Sequence, residues 1–178
     1  MNLPNKLTVI RVLMIPVFLV FLMTDFAGTY SRYIAALIFV LASFTDFLDG
    51  YIARKYGLVT NFGKFMDPIA DKLLVCSALI ALIELGNIPS VAVMIIIARE
   101  FIISGFRLVA SDSGVVIAAS WWGKFKTVSQ MIMVIYLIIG FEGALFDTIG
   151  TVLIVISVAL TVISAVDYVV KNIGVLKA

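Results

Sequence analysis

The stretch from Asp46 to Asp71 reads DFLDGYIARKYGLVTNFGKFMDPIAD and concentrates four aspartates in an otherwise apolar chain. Asp46 and Asp49 are three residues apart, and Asp67 and Asp71 are four apart, so each pair shares one face of a helix. An isolated charge inside a membrane costs about 2.5–3.5 kcal/mol on insertion scales. The chain has no histidine, so imidazole is excluded as a ligand or base. A divalent cation bound by the oxygen atoms of the four carboxylates would offset this cost.

The composition of the whole chain predicts a membrane protein. Hydrophobic residues make up 63% of the 178 residues, against about 45–50% in an average soluble domain. The apolar runs are long and continuous, which favours helices over a β-barrel with alternating residues. At about 20 residues per crossing, we predict an all-α, polytopic bundle of six transmembrane helices. It forms a single domain over residues 1–178.

Six apolar segments follow one another along this chain. We predict spans at about residues 7–24, 32–56, 65–84, 90–110, 123–140 and 148–170. The connection 57–64 is predicted to be a loop because glycines bracket it, and Gly63 belongs to that loop. The first apolar segment has no small-residue cleavage site after it, so we expect a retained helix and not a removed signal.

The basic residues are distributed unevenly between the two sides of the predicted bundle. With six spans, both termini share a side, and all 13 lysines and arginines except Arg32 and Arg99 fall on it. The positive-inside rule places that side in the cytoplasm. We therefore expect both termini and the aspartate-rich stretch to face the cytoplasm, where soluble nucleotides are available.

Small residues and an arginine share the helix face of the first acid pair. At about 100° per residue, Asp46, Asp49, Gly50, Ala53 and Arg54 fall within a sector roughly 140° wide. The glycine and alanine leave room for a flat ring or a close backbone approach, and the arginine offers a planar donor fork for phosphate oxygens. Two antiparallel helices joined by a short loop would bring all four carboxylates to one pocket. This arrangement is typical of phosphoryl transfer.

Two other interpretations of the four aspartates remain open. A single aspartate in a membrane is often a structural partner of a cation, and two at helical spacing can line an ion pathway. A small cation or proton transporter is therefore the alternative of another class. The acids cluster at one membrane face and leave the other half of the bundle without a polar path, which favours a metal-dependent catalytic site.

Eight positions over 26 residues complete the pattern D-x2-D-G-x2-A-R-x8-G-x3-D-x3-D. This pattern resembles the signature of the CDP-alcohol phosphotransferases, membrane enzymes that make phospholipids. The resemblance extends beyond the pattern. Three further segments are similar to bacterial phosphatidylglycerophosphate synthases: NLPNKLTVIR at 2–11, AREFIISGFR at 98–107 and GKFKT at 123–127.

The resemblance implies a six-span homodimer in the bacterial plasma membrane. It implies CDP-diacylglycerol and glycerol 3-phosphate as substrates, membrane lipids but no nucleic acid as partners, and two Mg²⁺ or Mn²⁺ ions as cofactors. The general base would be Asp71. The metal ligands would be Asp46, Asp49, Asp67 and Asp71. The residues that hold the CDP group would be Gly50, Ala53, Arg54, Gly63, Asn5 and Thr8.

The acceptor alcohol is predicted from basic residues that the pattern does not use. Arg107, Lys124, Lys126 and Arg11 are candidates for binding a phosphate on the acceptor, which favours glycerol 3-phosphate over an uncharged polyol or serine. Anchoring to anionic lipid headgroups is the alternative role for these cations. The same chemistry with an inositol phosphate, serine or phosphatidylglycerol as acceptor stays open.

Two other groups of charged residues are predicted to be structural. Arg99 lies deep in the fourth span. The adjacent Glu100 lies on a different face, so we expect Arg99 to pair with another helix, and a role in ligand binding stays open as the alternative. Asp167 and Lys171 are four residues apart near the C-terminus and are predicted to form a local surface pair.

Overall fold

The computed structural model describes residues 2–56, 61–112 and 120–172, except the side chains of residues 4, 47, 49–51, 53–54, 61–65, 67–68 and 111–112. These ranges contain helices and no strand, so the predicted all-α class is confirmed for the part described. A short 3-10 turn, Gly28–Tyr30, precedes the second helix. The helices are α1 Leu3–Met23, α2 Ser31–Tyr56, α3 Asn61–Glu84, α4 Ser90–Asp112, α5 Trp121–Ile139 and α6 Ala144–Asn172.

The helix boundaries follow the six predicted apolar segments, with one difference that bears on the site. Helix α3 begins at Asn61, so Gly63 lies in its first turn and the prediction of a loop there was wrong. One glycine costs a helix only about 1 kcal/mol relative to alanine, which the packing of the remaining turns offsets. Residues 57–60, the rest of the predicted loop, lie outside the described residues.

The chain divides into two compact units. The first contains Met1–Asn87 and Ile138–Gly140, so it holds α1, α2, α3 and the end of α5. The second contains Ile88–Leu137 and Phe141–Ala178, so it holds α4, α6 and most of α5.

Helix α1 forms the centre of the first unit because one continuous stripe of its side chains is buried. The stripe runs through Thr8, Arg11, Ile15, Phe18 and Leu22, at alternating spacings of three and four residues, which keep the side chains on one face. Its first two members are polar and the others apolar. The polar end of the stripe therefore marks where a site can form.

Helices α2 and α3 both pack against α1. Helix α2 presents the buried residues Ala35, Phe39 and Ala42, and small residues let neighbouring helices approach closely. The ring of Phe39 lies 5.8 Å from that of Phe18. The next position in the same spacing is Asp46, so the packing face of α2 leads directly to the first aspartate of the pattern.

Helices α4 and α6 pack against each other in the second unit. The ring of Tyr168 meets Phe106 edge-on at 5.6 Å, next to buried Ile103. Apart from Tyr168, the buried face of α6 consists of small and polar residues, as in helices that pack closely inside a membrane. Its members are Gly150, Ser157, Thr161, Ser164 and Tyr168.

Helix α5 ends at a glycine that its surroundings require. Gly140 has φ +63°, a left-handed conformation that closes many helices and favours glycine. A Cβ at this position would also overlap the guanidinium group of Arg32. The start of α2 and the end of α5 thus meet at the side chain of Arg32.

Two helices are long and apolar enough to cross a membrane by themselves, Asn5–Met23 and Ala144–Asn172, among the residues that the structure describes. The distribution of side chains is consistent with a membrane protein, because polar Asn5, Thr8 and Arg11 are buried on α1 while Leu13 and Val17 are exposed. The six-span count stays a prediction.

Candidate functional site

The aspartate-rich stretch begins with a well-defined ion pair between α1 and α2. Arg11 Nη1 donates to Asp46 Oδ1 at 2.7 Å. The arginine side chain is 0% exposed, whereas that of Asp46 is 40% exposed. The carboxylate therefore has one oxygen held from the interior of the unit and remains open to the outside.

A threonine extends this pair into a short chain of hydrogen bonds. Arg11 Nε lies 3.4 Å from Thr45 Oγ1, and the Thr45 hydroxyl donates to the carbonyl of Ala42 at 2.6 Å. With its proton directed to that carbonyl, the hydroxyl presents a lone pair to the guanidinium. Thr45 precedes the eight-position pattern by one residue and was not predicted from the sequence.

The other described members of the predicted site lie in the same unit. Asp71 is exposed on α3, directly after buried Ala70. Asn5 and Thr8 are buried on α1, on the stripe that also carries Arg11. Helices α2 and α3 contact each other as well as α1. The fold thus gathers the elements that carry the predicted metal and CDP residues into one unit.

Six residues of the eight-position pattern have side chains outside the described part of the structure. Their backbones lie in α2 and α3. These residues are Asp49, Gly50, Ala53, Arg54, Gly63 and Asp67. Among the described side chains, no three acids or cysteines come together in a way that could hold a metal. Because two of the four aspartates are not described, the convergence of all four stays a prediction.

A second charged cluster lies in the other unit, at Glu100 of α4. The Glu100 carboxylate forms ion pairs with Lys126 of α5 and with Arg99 Nη1, the latter at 3.1 Å. The expectation that Arg99 would not pair with its neighbour was wrong. Adjacent helix positions do not face each other, but two long, flexible side chains can span the angle when a third charge draws them together.

The candidates for binding the acceptor phosphate have very different surroundings. The Lys126 side chain is only 4% exposed and is paired with Glu100. Lys124, two residues earlier, is exposed and lies 4.3 Å from the centre of the Trp121 ring. Arg107 is exposed and lies 5.5 Å from the ring centre of Tyr168. Their role in acceptor binding stays a prediction, as does that of Arg11.

Two buried polar atoms on α4 and α5 have no hydrogen-bond partner among the described residues. Arg99 Nε and Gln130 Oε1 are buried and make no hydrogen bond there. Gln130 follows Lys126 by one helical turn and is equally buried. Gln130 was not predicted from the sequence, although a glutamine within an apolar helix is itself a signal, because a buried polar group needs a partner.

The near-surface pair predicted at the end of α6 is confirmed. Lys171 Nζ lies 2.6 Å from Asp167 Oδ1, one helical turn apart, with the lysine 63% exposed.

Comparison with known proteins identifies the family. The model of the CDP-alcohol phosphatidyltransferase family matches residues 1–163, which includes the whole aspartate-rich stretch and the Glu100 cluster.

Individual relatives match over nearly the full chain. A CDP-diacylglycerol–glycerol-3-phosphate 3-phosphatidyltransferase of Bacillus subtilis is 43% identical, covering 99% of this chain and 97% of the relative. A protein of the same name from Haemophilus influenzae is 37% identical over 94% of this chain and 91% of its own. A probable phosphatidylglycerophosphate synthase of Mycobacterium tuberculosis is 42% identical over 96% and 81%.

Proposed function

Because the chain belongs to the CDP-alcohol phosphatidyltransferase family, we propose that it transfers the phosphatidyl group of CDP-diacylglycerol to glycerol 3-phosphate. The products are phosphatidylglycerophosphate and CMP, and the role is in phospholipid biosynthesis. The observation that carries this proposal is the 43% identity to a relative of that name over almost the entire length of both chains. The complete eight-position pattern of the aspartate-rich stretch supports it.

We assign the divalent cation to the carboxylates of the pattern: Asp46, Asp49, Asp67 and Asp71. The donor set fits Mg²⁺ or Mn²⁺, since these ions prefer carboxylate oxygen. The position of Asp46 also fits, because Arg11 holds one oxygen while the side chain stays 40% exposed. A cation bound there supplies positive charge against the diphosphate of the substrate. Two ions at this site are an expectation from the family.

We assign the nucleotide end of the substrate to residues around these carboxylates. The glycines and alanine of the pattern leave space for the cytidine ring, and Arg54 provides donors for phosphate oxygens. The polar start of α1 is in the same unit as the pattern, which supports a role for its buried residues. The full set is Gly50, Ala53, Arg54, Gly63, Asn5 and Thr8.

Asp71 acts as the general base in this proposal. It accepts the proton of the acceptor hydroxyl while the hydroxyl oxygen bonds to the phosphorus that carries diacylglycerol. The bond from that phosphorus to the bridging oxygen of CMP breaks, and CMP leaves with the electron pair. Its exposed position on α3 allows the proton to pass on to water afterwards.

Three basic residues are proposed to bind the phosphate of the acceptor: Arg107, Lys124 and Lys126. The fourth candidate, Arg11, is enclosed and paired with Asp46. Lys126 is supported by the charge of its surroundings, because it shares the single carboxylate of Glu100 with Arg99, and a phosphate supplies further charged oxygen partners. Arg107 and Lys124 are supported by their exposure, which leaves them accessible to a soluble anion.

The membrane arrangement is likewise proposed. We propose six spans in a bacterial plasma membrane, cytoplasmic termini and active site, and a homodimer, supported by the uneven distribution of lysine and arginine. In a Cys76→Ala background, Asp25→Cys is expected to react with a membrane-impermeant thiol reagent in intact cells, and Lys177→Cys only after lysis. The reverse pattern would overturn the orientation.

The function is tested with purified protein in detergent, CDP-diacylglycerol and Mg²⁺. We expect CMP release on addition of glycerol 3-phosphate and none with serine, inositol phosphate or phosphatidylglycerol. Release with one of those acceptors alone would reassign the acceptor. No release with any acceptor, together with cation flux in liposomes, would support a transporter instead.

The base is tested by Asp71→Asn, which keeps the size of the side chain and removes its ability to take a proton. We expect turnover to fall about 10²- to 10⁴-fold, the usual contribution of a general base, while CDP-diacylglycerol still binds. Asp25→Asn is the matched control, since Asp25 is exposed outside the helices. Near-normal turnover by Asp71→Asn would remove the base assignment.

A further inference from the structure

The charged side chain of Arg11 is completely buried. Its side chain is 0% exposed, and a charge without a partner in such a place is strongly unfavourable. The described partner of that charge is Asp46, at 2.7 Å. The ion pair is therefore part of the folded state of the first unit rather than an optional surface contact.

The geometry of the guanidinium does more than balance charge. Nη1 faces Asp46 Oδ1 and Nε faces Thr45 Oγ1, so two neighbouring side chains of α2 are engaged by one planar group. Thr45 is in turn bonded to the Ala42 carbonyl, which prevents it from turning away. A lysine carries the same charge but has no rigid fork, so it cannot hold both partners in fixed directions.

The difference in exposure between the two partners shows that Asp46, and not Arg11, is accessible to a ligand. The arginine is enclosed, and the carboxylate is 40% exposed. With Oδ1 held from the inside, Oδ2 is the oxygen left to face an incoming ligand. An outer partner that fixes a ligating carboxylate typically changes metal affinity or activity 10- to 100-fold.

We propose that Arg11 is a positioning residue that fixes the Asp46 carboxylate so that Oδ2 ligates the divalent cation. This rests on the proposed function only in taking Asp46 as a metal ligand. It assigns to Arg11 an action on the metal through Asp46, which differs from direct binding of the acceptor phosphate. A third possibility is a purely structural tie between α1 and α2.

Binding of Mn²⁺ distinguishes these three roles. Free Mn²⁺ is measured by electron paramagnetic resonance during titration of the purified protein in detergent, without lipid or acceptor. For Arg11→Lys we expect the Mn²⁺ Kd to rise about 10- to 100-fold. For Thr45→Val, which removes only the partner of Nε, we expect a smaller rise in the same direction.

Arg32→Lys is the matched control, because Arg32 lies in the same unit at the opposite end of α2, about 21 Å along the helix from Asp46. Its Kd for Mn²⁺ should equal that of the parent protein. Thermal unfolding without metal is recorded for every variant, so that a loss of folding is separated from a loss of affinity.

Each outcome decides the proposal. If Arg11→Lys lowers the melting temperature but keeps the parent Kd for Mn²⁺ within twofold, the arginine is a structural tie and the proposal fails. If the KM for glycerol 3-phosphate rises with an unchanged Mn²⁺ Kd, Arg11 binds the acceptor and the proposal fails. If the parent protein binds no Mn²⁺ while CMP release proceeds, this inference falls and the transferase function stands.

Discussion

The two units of this protein each contain a buried cation paired with a more exposed carboxylate, yet their charge balance differs. In the first unit one arginine, Arg11, faces Asp46 at the start of a stretch with three further aspartates. In the second unit one carboxylate, Glu100, faces two cations, Lys126 and Arg99. The first ion pair therefore matches one cation with one carboxylate, whereas the second region has two cations for one carboxylate.

The difference indicates which ligand each region is suited to bind. The first region carries the carboxylates that are proposed to ligate a cation, and the excess of ammonium and guanidinium groups in the second is relieved by an anion. In each region a charged partner orients the proposed binding group: Arg11 holds a carboxylate, and Glu100 holds an ammonium group. A metal at the first region and a phosphate at the second correspond to the two charged substrates of the proposed reaction.

The largest expected effect comes from Asp46→Ala in the first region. The change removes a proposed metal ligand and leaves Arg11 enclosed without its described partner, so we expect loss of detectable CMP release. We also expect about 2–4 kcal/mol lower stability, at the low end for a broken buried pair because Asp46 is partly exposed.

The double variant Arg11→Met/Asp46→Ala separates the two consequences. Replacing both charges should recover most of the stability, since an apolar pair can substitute for a buried ion pair, but not the activity. Chemical unfolding and CMP release are measured side by side. Recovery of activity in the double variant would show that Asp46 serves only to neutralise Arg11.

An intermediate effect is expected from Lys126→Met in the second region. Removing one charged donor should raise the KM for glycerol 3-phosphate about tenfold, corresponding to about 1.4 kcal/mol, and leave the KM for CDP-diacylglycerol unchanged. The rise in KM stays moderate because Arg99 still neutralises the charge of Glu100 in this variant. Steady-state kinetics with each substrate varied in turn provide the measurement.

Lys171→Met is the control for that experiment, since it removes a lysine from an ion pair outside both regions. If Lys126→Met instead raised the KM for CDP-diacylglycerol alone, the contrast between a cation-binding and an anion-binding region would be wrong.

The smallest effect is expected from the exposed pair at the end of α6. Lys171 is 63% exposed and bonded to Asp167 one turn away, a type of pair worth about 0.2–0.5 kcal/mol. Lys171→Met should therefore lower the free energy of unfolding by no more than that amount, with activity unchanged. A loss comparable to that of Asp46→Ala would mean that burial does not distinguish these ion pairs.

Prediction from sequence succeeded where the signal was local. The apolar runs predicted six helices, and the described helices follow them. The spacing of Asp167 and Lys171 predicted their contact, because a helix alone brings such residues together. The first turn of α3 was misassigned since the glycines near Asn61 suggested a loop, and a helix can include a glycine at modest cost.

Contacts between helices were not predictable in the same way. The spacing of Asp46 within the pattern marks it as functional but does not reveal that Arg11, 35 residues earlier, binds it. Likewise, Lys124 and Lys126 look equivalent in the sequence. One proves exposed beside Trp121 and the other buried against Glu100, because residues two apart point to different sides of a helix.

The sequence by itself determined the helical class, the family and the chemistry of the donor set, since these follow from composition, periodicity and residue types. Tertiary structure alone decided which charges meet between helices. A helix fixes the direction of each side chain only about its own axis, whereas an ion pair between helices depends on how their axes pack. That packing decided that Arg11 is enclosed behind Asp46 and that Glu100 is shared by two cations.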